Sequence, residues 1–89
     1  MIEREVEIVN RLGLHARAAA KLVQTASSFD SHITLAKDGE EVDAKSILGI
    51  LLLAAAQGST LTIRADGEDA PAAIAAVTGL IADRFEEGT

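Results

Sequence analysis

The chain has 89 residues, 48% of them hydrophobic, with Phe29 and Phe85 as its only aromatic side chains and a formal net charge of −6. That is enough for one small domain, expected to span residues 1–89, with an aliphatic, alanine-rich core. It excludes general nucleic-acid binding, which needs a basic footprint. There is no cysteine for a disulfide or a thiolate metal site. The longest apolar run, Ile47 to Ala56, falls well short of the roughly 20 residues that span a bilayer, so no membrane insertion is expected. The acidic start, Met1 to Glu7, reads as a strand and not as a leader, which makes a cytoplasmic protein the expectation.

From Glu3 to Val9, apolar Val6 and Ile8 alternate with Glu3, Glu5 and Glu7, the period-two pattern of a strand with one wet face. Asn10 to Gly13 supplies turn residues, and a helix over Ala16 to Ala26 follows, with Ala19, Leu22, Val23 and Ala26 on its buried side and Lys21 and Gln24 opposite. Phe29 closes its end against the core. His32 to Leu35 and the stretch around Val42 and Ala44 form a second and a third strand, joined by the hairpin signal Asp38-Gly39. Ser46 is a good N-cap for a short helix from Ile47 to Leu53, in a segment ended by Gly58-Ser59. Thr60 to Ala65 alternates as a fourth strand. Ala70-Pro71 then opens a third helix with Ile74, Val77, Ile81 and Phe85 as its apolar stripe, and the tail Glu86 to Thr89 is expected to fray. The order is β-α-β-β-α-β-α. Strands and helices with one apolar face each bury themselves as an α+β fold, a four-stranded antiparallel sheet with three helices on one face.

The stretch with the most chemistry is Asn10 to Arg17, where His15 stands at a strand-to-helix junction. A helix N-terminus gathers unpaired backbone N–H groups that attract anions. Gly13 permits an unusual backbone just before it, the small Ala16 and Ala18 leave the helix end open, and Arg17 can reach an anion held there. The positive end of the helix favours the neutral imidazole, leaving a ring nitrogen free for nucleophilic attack. Between Ile8 and Phe29 the only ionic side chains are Arg11, Arg17 and Lys21, a basic patch on an acidic chain. The sequence holds no Walker-type segment, no Gly-rich dinucleotide turn and no His-carboxylate cluster at metal spacing, so no nucleotide, cofactor or metal is expected. A histidine nucleophile without its own donor site implies a shuttle between other proteins.

Gly13-Leu14-His15-Ala16-Arg17 before an alanine-rich helix, with Lys45-Ser46-Ile47-Leu48-Gly49 and Gln57-Gly58 ahead of the last strand, closely resembles HPr, the histidine-containing phosphocarrier family of the bacterial phosphotransferase system. The resemblance covers essentially the whole chain and implies an open-faced β-sandwich. It further implies that His15 accepts a phosphoryl group from phosphorylated enzyme I and passes it to an enzyme IIA. Arg17 and the backbone of Ala16, Arg17 and Ala18 would steady that group. Such a chain is a carrier in a relay and not an enzyme, and is expected to be a monomer. The family commonly has proline where this chain has Ala18. Alanine gives up rigidity but adds an N–H near the phosphate, so His15 is expected to remain competent.

In relatives with an HPr kinase/phosphorylase, the serine matching Ser46 is phosphorylated as a regulatory switch, which is compatible with its capping role. Apolar side chains spread around the whole circumference of the helix after Ser46, so some must stay uncovered. By resemblance Ile47, Leu48 and Leu51 point outward beside Leu14, Arg17, Ala20, Lys21 and Gln24 to make a docking patch. Two other readings stand beside the sugar carrier. One is the carrier of the nitrogen-related branch, with the same His-x-Arg site and a regulatory enzyme IIA. The other is an interaction module that is never phosphorylated, against which His15 itself speaks. His32, the Glu40-Glu41 pair and Asp66 to Asp69 are read as solvated residues without chemistry.

Overall fold

The computed structural model describes residues 1–87. Its elements are β1 (Ile2–Glu7), α1 (Ala16–Ser27), β2 (His32–Lys37), β3 (Glu40–Asp43), α2 (Ile47–Leu52), β4 (Thr60–Asp66), α3 (Ala70–Ala82) and a final 3-10 turn, Arg84–Glu86. The four strands form one antiparallel sheet in the order β1-β4-β2-β3. This is the expected α+β architecture, with the helices on one face and the other face open.

The strand pattern explains the layering. In β2 and β4, Ile33, Leu35, Leu61, Ile63 and Ala65 are buried, and the residues between them face the open side. Register brings Leu35 opposite both Ile63 and Val42, so one continuous aliphatic layer runs across the sheet. Onto it pack Ala18, Ala19, Leu22 and Ala26 of α1, Ile50 of α2, and Ala73, Ile74, Val77 and Ile81 of α3. On the open face Arg64 of β4 ties to β1 on one side and reaches across β2 to β3 on the other, with Nε 2.5 Å from Glu3 and Nη1 2.6 Å from Glu41. The β2–β3 hairpin turns through Asp38 and Gly39, both at positive φ, as the Asp-Gly signal requires.

Helix α2 forms where expected, ending at Leu52 with Leu53 as its C-cap, and the chain leaves it through Ala54 at positive φ. Two expectations need correction. Asp69 is not a solvated turn residue: its carboxylate accepts from the amides of Asp30 (2.8 Å) and Ser31 (2.9 Å) and from the Ser31 hydroxyl. The Ser31 hydroxyl bond, followed by the Asp30 amide, holds the Asp69 carboxyl below the usual carboxylate range. Finally, the third helix does not run on to Phe85. Helix α3 stops at Ala82, and Arg84, Phe85 and Glu86 take φ of 55°, 54° and 65°, a left-handed turn that swings the Phe85 ring back under the helices, where it is fully buried.

Candidate functional site

The site begins where β1 ends. Beyond the strand, Ile8 still pairs with the chain before β4, its N–H donating to Ser59 O (2.8 Å) while its carbonyl accepts from Gly58 N (2.8 Å). Leu14 N then donates to Ala55 O (2.9 Å), so the whole loop from Ile8 to Leu14 lies along residues 55–59. The approach is close enough that only glycine fits at position 13: φ is +67°, and a Cβ there would lie 2.6 Å from Ala55 O. Asn10 is buried and braces the same loop, its Nδ2 donating to Gly13 O at 2.8 Å.

This loop delivers His15 as the N-cap of α1, with extended backbone (φ −79°, ψ 177°) and its carbonyl accepting from Ala19 N at 2.9 Å. N-caps are normally short oxygen side chains; here the imidazole does the work, Nδ1 accepting from Arg17 N at 3.3 Å. Helix geometry leaves the amides of Ala16 and Ala18 in the same open first turn. The Arg17 guanidinium is exposed and, among the described residues, has no ion pair. The methyl of Ala18 is buried in the core, so only its backbone belongs to the site.

The part the sequence did not suggest is the tail. Glu86 and Glu87 are ordered against the site, and Gly88 and Thr89 lie outside the described residues. Glu87 Oε2 meets His15 Nε2, and Glu87 Oε1 accepts from Asn10 Nδ2 at 3.0 Å. Lys21 of α1 secures the turn that carries it, its ammonium donating to Phe85 O (2.7 Å) and lying 3.6 Å from Glu86. Burial is the largest single influence on Glu87 and acts to raise its pKa, yet the hydrogen bonds from His15 and Asn10, with the nearby Lys21 charge, outweigh it and keep the carboxyl below its ordinary value. Leu12, His15, Arg17, Lys21, Glu86 and Glu87 line one cleft, so the basic patch read from the sequence receives two carboxylates from the far end of the chain.

Helix α2 packs against α1. Its Ile50 and the following Leu53 are buried, leaving Ile47 44%, Leu48 68% and Leu51 36% exposed, as expected for an outward set. Leu52 at 68% and Leu12 at 65% extend the apolar surface, and neither was anticipated. Leu14, expected on the docking patch, is instead 6% exposed: the bond from its amide to Ala55 turns its side chain into the core. Arg17 and Gln24 are exposed, while Ala20 and Lys21 are half-buried. Ser46 caps α2 as predicted, its hydroxyl accepting from Gly49 N at 3.1 Å, and it does not line the His15 cleft.

An open sheet under three helices with a histidine at the mouth of the first is an architecture that other chains share. The chain matches the family described as "PTS HPr component phosphorylation site" over residues 2–83. Phosphocarrier protein HPr of Xylella fastidiosa (strain Temecula1 / ATCC 700964) is 54% identical, with all of both chains covered. Phosphocarrier protein NPr of Shewanella violacea is 44% identical over 99% of this chain and 97% of its own. The crystal structure of HPr from Thermoanaerobacter tengcongensis superposes with a TM-score of 0.95 at 48% identity, covering 98% of each chain. The chain belongs to the HPr family.

Proposed function

We propose that this protein is a phosphocarrier of the phosphotransferase system, a cytoplasmic monomer that takes a phosphoryl group onto His15 from phosphorylated enzyme I and hands it to an enzyme IIA. The observation that carries this reading is the capping geometry of His15. Because Nδ1 accepts a hydrogen bond from Arg17 N, that nitrogen bears a lone pair and no proton, and it faces the open N-terminal turn of α1. It is the atom that attacks phosphorus. The bond from phosphorus to the donor atom breaks as the new N–P bond forms, and the electron pair leaves with the donor. The amide that held the lone pair is then free to donate to a phosphoryl oxygen, joined by the amides of Ala16 and Ala18 and the Arg17 guanidinium. Transfer onward reverses the step. The domain does not turn over a substrate of its own; it bears one for a time.

Incubation with phosphoenolpyruvate and enzyme I, followed by intact mass measurement before and after mild acid, tests the reading. One acid-labile phosphoryl group is expected on the wild type and none on His15→Ala; a wild type that gains no mass would sink the proposal. Family relatives named HPr and NPr are both similar to this chain, and the His15 geometry would serve either branch. Which enzyme IIA accepts the group from the phosphorylated protein decides between sugar uptake and nitrogen control.

Ser46 is proposed as a regulatory site. It is half-buried beside exposed Ile47 and Leu48, so a phosphate there adds charge at the rim of the apolar patch and opposes docking. An acid-stable gain with ATP and an HPr kinase, absent in Ser46→Ala, is the corresponding result.

The exposed Ile47, Leu48 and Leu51, beside Arg17, Ala20, Lys21 and Gln24, are proposed to receive both partners. A charge placed at Leu48 costs the fold little, since most exposed substitutions stay within about 0.5 kcal/mol. At the centre of a docking patch it is expected to raise the KM for transfer about tenfold. Leu48→Glu should therefore keep the wild-type unfolding midpoint while its titration with enzyme I shifts; an unchanged KM would remove Leu48 from the interface.

A further inference from the structure

We propose that Glu87 is a positioning residue for His15, its carboxylate holding the imidazole in the tautomer and orientation that leave Nδ1 as the nucleophile. The inference rests on the phosphocarrier reading and adds to it a residue from the far end of the chain. The two ring nitrogens have opposite partners. Nδ1 accepts from an amide, so the ring proton must sit on Nε2, where it donates to Glu87 Oε2. Glu87 is in turn fixed from its other oxygen by Asn10, whose side chain is buried and bonded to the backbone of Gly13, two residues before His15. Nucleophile, orienting carboxylate and a third group that fixes the carboxylate make one connected chain, the arrangement that activated nucleophiles share.

The carboxylate and the anion-binding turn do not compete. Glu87 occupies the Nε2 edge of the ring, and the amides of the first turn of α1 lie on the Nδ1 side. When Nδ1 forms its bond to phosphorus and the donor departs with the electron pair, the ring keeps its Nε2 proton and takes on positive charge. The Glu87 carboxylate faces that charge. No proton needs to leave or arrive for transfer in either direction. Without the carboxylate, only the 3.3 Å bond from Arg17 N still favours the proton on Nε2, so a larger share of neutral rings carries it on Nδ1, and each of those cannot attack.

Nitrogen-15 NMR of the histidine ring nitrogens reads the tautomer directly, with His32, exposed at the start of β2, as an internal reference. At mildly alkaline pH the wild type is expected to show a protonated Nε2 and a bare Nδ1. Glu87→Ala should move both signals toward a mixed average and slow phosphoryl uptake from phosphorylated enzyme I by about tenfold, the scale of one hydrogen bond to a charged group. Glu87→Gln keeps an acceptor oxygen for Nε2–H and should restore the tautomer, recovering part of the rate. A tautomer balance unchanged in Glu87→Ala would overturn the inference, as would equal slowing in both variants with no change at the ring. A wild type that takes no phosphoryl group at all would defeat the phosphocarrier reading alone, because the ring signals still decide the role of Glu87.

Discussion

Gly13→Ala is expected to lower the unfolding midpoint by roughly 12–24 °C, the equivalent of about 3 kcal/mol in a domain of this size, and to slow phosphoryl uptake with it. Two costs combine. At φ +67° an L-residue is strained by about 1–2 kcal/mol. The added methyl would also lie 2.6 Å from Ala55 O and 3.0 Å from Ala56 Cα, and both are backbone atoms that cannot swing aside. Relief requires the loop to part from residues 55–59, which breaks the bond from Leu14 N to Ala55 O. His15 moves with it, since its own amide donates to Gly13 O at 3.0 Å. Gly39→Ala separates the two costs. Its φ is +87° and nothing lies within 4 Å of a Cβ built there, so it reports strain without collision. Thermal melts of both variants, with uptake measured beside them, should place Gly13→Ala well below Gly39→Ala and leave uptake normal in the latter. Equal losses would mean that the close approach at Ala55 does not matter.

The sheet was legible because its strands advertise their faces: Ile33, Leu35, Leu61 and Ile63 are buried in the alternation the sequence shows. Helix α1 was legible for the same reason, and the place of His15 followed from where strand pattern gives way to helix pattern. What sequence could not supply is contact between ends of the chain. The left-handed turn at Arg84 to Glu86 contains no glycine or asparagine, the residues that normally announce such a conformation, so nothing local marks it. Phe85 stands one helical turn after Ile81, and its burial was foreseen correctly on a wrong conformation. Once the chain reverses, Glu86 and Glu87 arrive at the basic patch, an outcome set by tertiary packing and not by any motif. Leu14 illustrates the converse: a resemblance-based place on the docking patch yields to a backbone bond that turns the side chain inward.

Phe85→Ala is expected to cost about 4 kcal/mol, the range for emptying a fully buried aromatic site. For a chain whose whole stability is about 4–13 kcal/mol on the usual per-residue scale, that removes a large share. It should lower the melting midpoint by roughly 15–30 °C. The effect should not stop at stability. Three successive residues at positive φ are unfavourable by about 1–2 kcal/mol each, and the fully buried Phe85 ring is the main thing that offsets them, beside the polar contacts of Lys21 with Phe85 O and Glu86 and of Glu87 with His15 and Asn10. With the ring gone, those partly exposed polar contacts do not hold the turn, and Glu87 leaves His15. The comparison that isolates this is Ile63→Ala, a truncation of an equally buried residue in β4, remote in sequence from the tail. Both variants should melt early, but only Phe85→Ala should shift the His15 ring-nitrogen signals toward a mixed tautomer below its melting temperature. If the two variants leave those signals alike, the tail is held by something other than Phe85. A shift confined to Phe85→Ala would tie the hydrophobic core to the orientation of the nucleophile through three residues of strained backbone.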